Sequence, residues 1–214
     1  MHRRRRSALL LTAAIAAAPL ITACGNDAHP GAAAVVGGQR ITVAQLENRV
    51  SEVRAAQRAT VRDEAQYEQA VARTGTLTRD TLHNMVLDQV LHHAAREAGV
   101  TVTRKEIQRM RAGLERQAGG REGLETTWLQ QYGIAPERLE ENLRLQLEAQ
   151  KLAKKLGTDT TRPDFWKALS AASEELDIDL NPRYGTWDVE KSGRVDAKTP
   201  WVRDVTAADP QQTT

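Results

Sequence analysis

The chain has 214 residues, with 30 Lys and Arg against 28 Asp and Glu, and only 4% aromatic residues. The formal net charge is +2, but four arginines lie within the first six residues, and the rest of the chain has a net charge of −2. A net negative charge of this size does not indicate a nucleic-acid-binding protein. The single cysteine, Cys24, excludes an intrachain disulfide and a multi-cysteine metal site.

The N-terminal segment has the pattern of an export signal. Arg3–Arg6 precede an apolar run, Ala8–Leu20, of about 13 residues, whereas a helix needs roughly 20 to cross a bilayer core. The next four residues, Ile21-Thr22-Ala23-Cys24, resemble the lipobox of bacterial lipoproteins. That resemblance implies a lipoprotein signal peptide over 1–23 and a diacylglycerol on Cys24. The alternative is a plain secretory signal followed by an incidental cysteine.

The segment after Cys24 is expected to lead into the folded domain. Small and polar residues over 24–33 predict a flexible tether. Order is expected from residue 34, because two β-prone stretches flank Gly37-Gly38, a pattern typical of a tight hairpin.

Six amphipathic helices are predicted from apolar residues spaced three and four apart. The first follows a capping box of Thr42 and Gln45 and ends near Ala59. The stretch Thr60–Gly75 either continues this helix or forms a mobile polar connection. The five later helices are expected to begin near Thr78, Thr103, Leu124, Pro136 and Pro163. The predicted fold class is therefore mainly α, with about six helices around an apolar core.

The C-terminal part is predicted to contain one short strand and a tail. Residues Asp177–Leu180 alternate as an edge strand does. From Thr186 onward the sequence is polar and has no lasting period, which predicts a disordered tail over 186–214.

Four motifs in this order resemble the N-terminal chaperone domain of the SurA and PrsA family of bacterial secretion foldases. They are Val35–Thr42, Ala98–Ile107, Tyr132–Leu139 and Asn181–Gly185. The resemblance covers residues 34–185. It implies that the N-terminal strand (35–41) pairs with a strand at the C-terminal end (177–181), and that the helices form a cradle for extended, unfolded clients.

The chain differs from many members of that family in one respect. These foldases often carry a parvulin prolyl isomerase domain between the helices that correspond to the fifth and sixth here, but only Thr158–Arg162 lie in that gap. The resemblance therefore covers the chaperone module alone and implies no isomerase activity. No nucleophile motif or phosphate loop occurs elsewhere, so we expect a protein that is not an enzyme.

Three histidines on the second predicted helix are the candidates for a metal site. His92 and His93 are neighbours, about 100° apart around the helix, and His83 lies on the side opposite His92. The three cannot converge on one ion, so a solvated face is favoured and we expect neither a metal nor another cofactor.

Two pairs of aromatic residues are candidates for binding a client. The first pair is Trp128 and Tyr132, and the second is Phe165 and Trp166; together they are half of the eight aromatics in the chain. Aromatic side chains dominate binding energies at interfaces, although for each residue taken singly the favoured interpretation is that it packs helices together.

The sequence thus predicts a lipid-anchored chaperone-like domain on the extracytoplasmic face of the cell membrane. Its partners would be unfolded or newly exported polypeptides, bound without ATP. One alternative is an envelope adaptor that uses the same fold to hold one specific partner. A second alternative is a foldase with prolyl isomerase activity.

Overall fold

The computed structural model describes residues 31–61, 63–73 and 75–196, and this part of the chain is mainly helical, as predicted. Seven α-helices lie within these residues, and a 3-10 turn over Pro136–Arg138 joins the fifth to the sixth. The helices span Val43–Thr60 (α1), Glu64–Arg73 (α2), Leu77–Glu97 (α3), Arg104–Gln117 (α4), Arg121–Tyr132 (α5), Leu139–Lys155 (α6) and Pro163–Glu175 (α7). The stretch Thr60–Gly75, left open by its weak periodicity, therefore contributes a separate helix, α2.

The chain ends of the domain meet in a three-stranded antiparallel sheet. Strand β1 (Ala32–Val36) lies between β2 (Gln39–Thr42) and β3 (Asp179–Leu180). Gly37 forms the turn between β1 and β2 with φ +56°, and a side chain there would meet Leu176 at 2.7 Å. The predicted hairpin and its pairing with a C-terminal strand are both confirmed.

The predicted tether is two residues too long. Ala32 and Ala33 were assigned to the flexible segment 24–33, but they lie in β1 and are 1% and 0% exposed. Their backbone groups are held by the C-terminal segment, since the Asn181 N–H donates to the Ala33 carbonyl at 3.0 Å. A run of alanines carries no strand signal of its own, so pairing with β2 and with the C-terminal segment fixes its structure.

Local capping rules placed some helix starts correctly and one incorrectly. Both capping boxes, Thr42 with Gln45 and Thr103 with Glu106, are present in the structure. Thr78 was predicted to cap the second helix, but α3 begins before it, at Leu77. Leu77 is buried in a cluster with Val53, so packing rather than capping sets this helix start.

Helix α3 is the central element of the core. It packs against α1 and β1 on one side and against α6 and α7 on the other. Its buried residues join two apolar clusters: Leu82 and Val86 pack with the sheet, and Val90 and Leu91 pack with α6 and α7. A helix covered on several sides in this way holds its neighbours in fixed positions, including those that border the cleft described below.

The prediction of a disordered tail is wrong for its first ten residues. Strands β4 (Thr186–Asp188) and β5 (Gly193–Val195) form an antiparallel hairpin. This hairpin packs on α3 and α7: the Trp187 ring stacks on His83 at a centroid distance of 5.6 Å, and the Ser170 hydroxyl donates to the Glu190 carbonyl at 2.9 Å. These contacts link residues distant in sequence, which is why no local period revealed the hairpin.

The signal peptide over 1–23, the lipid site at Cys24 and the tail from residue 197 onward lie outside the described residues. Among the helices that the structure describes, none is both long and apolar enough to cross a membrane.

Candidate binding cleft

An open cleft follows one face of α3, with α1 on one side and α6 on the other. It has two adjoining halves. The first, with a volume of about 300 Å³, reaches Tyr132 at the end of α5; the second, of about 580 Å³, reaches His92 on α3. We call them the Tyr132 half and the His92 half. Residues that line both halves are Arg49, Met85, Asp88, Glu141 and Leu145.

Two ion pairs join the walls of the cleft. The Arg49 guanidinium on α1 donates to the Glu141 carboxylate on α6 at 2.8 Å. Arg138, just before α6, donates two hydrogen bonds to Glu52 on α1, at 2.7 and 2.8 Å. These bonds lower the pKa of Glu52 below its ordinary value and raise that of Arg138. Since few direct contacts join α1 to α6, these pairs help set the width of the cleft.

Asp88 lies on the floor of the cleft, where both halves meet. Within the part of the chain that the structure describes, no group forms a hydrogen bond to its carboxylate. Burial, together with the nearby carboxylates of Glu141 and Glu148, raises the pKa of Asp88 to about 7 against the opposing effect of Arg49. Asp88 is thus a carboxyl group that titrates near neutral pH and faces an open cavity.

Two further carboxylates of the His92 half are paired with histidines. Glu148 is only 5% exposed, and its carboxylate contacts His92 Nδ1 at 3.3 Å. His93 Nε2 lies 2.8 Å from Glu175 on α7. Among the described residues, no group of three or more His, Cys, Asp or Glu side chains is arranged to hold a metal ion.

The first predicted aromatic pair is placed at the cleft. The Tyr132 side chain is 56% exposed and lines the Tyr132 half. Trp128 lies behind it, edge to face at 5.5 Å, and donates from Nε1 to the Asn142 amide oxygen at 3.0 Å. Trp128 also packs on a buried cluster that includes Leu139. Trp128 therefore supports the exposed ring of Tyr132, which is the member of this pair open to a ligand.

The second predicted pair lies elsewhere. Phe165 is 3% exposed and belongs to the core cluster of α3, α6 and α7, so its ring has no surface for a client. Trp166, the next residue, is 40% exposed and meets Phe165 edge to face. Neither residue is among the described residues that line the cleft. The structure therefore separates Tyr132 and Trp166 into two unrelated surfaces.

Sequence reasoning missed Asp88 and the arginines of the cleft. The helical period does contain a signal, because Thr81, Met85 and Asp88 are three or four residues apart and so share one face of α3. A carboxylate in the same stripe as a half-buried methionine indicates a polar floor between packed helices. The facing residues Arg49 and Glu141 are 92 positions apart, and no local pattern joins them.

The comparisons with known proteins concern most of the chain. The family model described as the SurA-like N-terminal domain matches residues 1–153, which include β1, β2 and most of α6. A search of curated proteins and a search of solved structures each return no significant match.

Proposed function

The chain belongs to the family of SurA-like N-terminal domains, and from this premise we propose that it is a lipid-anchored chaperone-like protein whose cleft binds unfolded or newly exported polypeptides. The family supports a chaperone-related role in general, and the domain type is non-catalytic. The proposal goes further, because it names the cleft, the class of ligand and the membrane anchor.

The observation that carries the proposal is the open, mixed lining of the cleft. Apolar side chains such as Met85, Ile134 and Leu145 line it together with charged and amide groups. An extended polypeptide presents apolar side chains together with unpaired backbone N–H and C=O groups, and such a lining satisfies both without demanding one shape. A chaperone needs this tolerance.

The outer strand of the sheet adds a second way to hold an extended chain. Strand β2 has β1 as its one neighbour in the described sheet, so its other edge is available for pairing. Gln39 and Arg40 of β2 border a shallow cavity that also reaches Arg49 and Met85 of the cleft. A client in the cleft can therefore continue along β2 as an added strand.

The membrane anchor is proposed from the sequence. Cleavage after residue 23 would leave Cys24 as the lipid-bearing first residue, and two acyl chains are enough for stable attachment. Seven residues, Gly25–Gly31, separate Cys24 from β1, so they span at most about 25 Å. Lipidation would therefore keep the cleft close to the outer face of the membrane, where exported chains emerge.

The test has two parts. The purified full chain is mixed with several unrelated unfolded proteins, and their aggregation is followed by light scattering; suppression for several clients supports a chaperone. A photo-crosslinking amino acid is then placed at Tyr132, with Trp166 as the matched exposed aromatic control. Capture of clients at position 132 and not at 166 supports the cleft. Suppression of none of the clients would favour an adaptor for one specific partner.

A further inference from the structure

The floor of the cleft has an unbalanced negative charge. Three carboxylates surround this point: Asp88 on α3, and Glu141 and Glu148 on α6. The nearby guanidinium of Arg49 is already bound to Glu141, and Glu148 is bound to His92. Asp88 is the carboxylate that is left without a donor in the described part of the chain, and its position gives it access to the cavity.

The surroundings of Asp88 suit a long cationic side chain. Met85 lies one helical turn before Asp88, and Leu145 faces it from α6; both are half-buried and line both halves of the cleft. The methylene groups of lysine and arginine pack on such apolar surface while the charged end group reaches a carboxylate. The negative charge of Asp88 and the apolar surface beside it therefore both favour a lysine or arginine side chain.

We propose that the cleft prefers client segments that carry a lysine or an arginine, with the cationic end group bound to Asp88 and the methylene groups packed on Met85 and Leu145. This inference rests on the proposed function and names the class of client that the cleft selects. A glutamate or aspartate at the same position of the client is excluded by repulsion from Asp88, Glu141 and Glu148.

The charge state of Asp88 supports this assignment. Its pKa of about 7 means that the ionised form is poorly stabilised within the empty cleft. A bound ammonium or guanidinium group supplies the missing positive charge and lowers that pKa. The preference for basic clients is therefore strongest above about pH 8 and declines at about pH 6, where the empty cleft holds a neutral Asp88. The other ionisable groups that line the two halves of the cleft, besides Glu141 and Glu148, are Arg49, Glu52, His92, His93, Arg96, Arg138, Arg144 and Glu175.

The experiment measures peptide binding to the full chain by fluorescence anisotropy. Three labelled peptides share one extended apolar sequence and differ at a central position, which is lysine, glutamine or glutamate. We expect the lysine peptide to bind roughly fivefold more tightly than the glutamine peptide, and the glutamate peptide most weakly. In Asp88→Asn the lysine and glutamine peptides bind equally. The control variant Glu122→Gln also removes one negative charge, at an exposed position on α5, and should keep the preference for the lysine peptide.

The outcomes separate this inference from the proposed function. If all three peptides bind the unaltered chain equally, or if Asp88→Asn keeps the lysine preference, the inference is overturned and the chaperone proposal stands. If no peptide binds, both are overturned. Asp88→Ser serves as a second variant should Asp88→Asn not fold, and it must also lose the preference.

Discussion

Arg138 and Glu52 form a two-point ion pair, at 2.7 and 2.8 Å, that joins the start of α6 to the middle of α1 across 86 residues of chain. The side chains are 38% and 28% exposed, so solvent weakens the attraction between them. Their geometry, two parallel N–H to carboxylate bonds, nevertheless favours one separation of the two helices. The pair thus bears more on the shape of the cleft than on stability.

Removing this ion pair is expected to change the width of the cleft with only a small loss of stability. Arg138→Gln should lower the free energy of unfolding by about 0.5–1 kcal/mol, measured by urea denaturation, because exposed pairs contribute little. Client affinity should fall more than stability alone explains. The control is Arg121→Gln, which removes an exposed pair with Glu125 away from the cleft. Equal loss of client affinity in both variants would contradict a role for Arg138 in shaping the cleft.

The two exposed aromatics are expected to differ in client binding. Tyr132→Ala should weaken binding of an unfolded client about fivefold, since an exposed aromatic in a cleft contributes an anchor. Trp166→Ala removes a larger ring outside the cleft and should leave affinity unchanged. Isothermal titration with one permanently unfolded client measures both. A larger effect from Trp166→Ala would move the binding surface to α7.

Asp88 is expected to destabilise the domain at neutral and higher pH. The folded state raises its pKa from 3.8 to about 7, so the folded state binds the extra proton between these values and stability falls as the pH rises through this window. Asp88→Asn should therefore raise the free energy of unfolding at about pH 8 by a few kcal/mol, about 4 at most. Near pH 4 the two proteins should be almost equally stable. A constant difference at all pH values would contradict this assignment.

His83 should act on stability in the opposite direction. Burial and the nearby Arg194 lower the pKa of His83, against a smaller opposing effect of Asp80. The backbone N–H of Arg194 donates to Nδ1 at 3.3 Å, which requires an unprotonated Nδ1. The unfolded state therefore takes up the proton first, and stability is lost as the pH falls below about 6.5.

The variant His83→Gln tests this. Its free energy of unfolding, measured in urea, should depend less on pH between about pH 7 and pH 5 than that of the unaltered chain. The loss of the stack on Trp187 should lower this free energy by the same amount at every pH. The matched control is His92→Gln, which removes an exposed imidazole from the same helix and leaves the contact between His83 and the Arg194 N–H in place. If the free energy of unfolding of His83→Gln depends on pH as strongly as that of the unaltered chain, a group other than His83 is responsible.

The lipid anchor is tested by Cys24→Ala. Without the thiol no diacylglycerol can be attached, so the variant should carry no lipid and should not be cleaved after residue 23. Metabolic labelling with a radioactive fatty acid should mark the unaltered chain only. A variant that is still membrane-bound and processed at the same position would disprove lipidation of Cys24.

Local sequence rules recovered those features that depend on neighbouring residues. The capping box at Thr42 and the turn at Gly37 are examples, because each follows from the residue type and its immediate neighbours. The helix start at Leu77 and the hairpin around Trp187 were missed, since contacts with distant residues determine both. The cleft was missed for the same reason: its floor and walls come from three separate helices, and only Tyr132 was anticipated.

The sheet that closes the domain has a consequence for the order of folding under the proposed export. Asn181 Nδ2 donates to the Ala32 carbonyl, across a separation of 149 residues. A chain that leaves the membrane N-terminus first therefore has β1 outside long before β3 arrives, and such distant pairing forms slowly. Under the proposed lipidation, the segment next to Cys24 would lack its β3 partner until then, so a lipid-modifying enzyme would meet it before the sheet is complete.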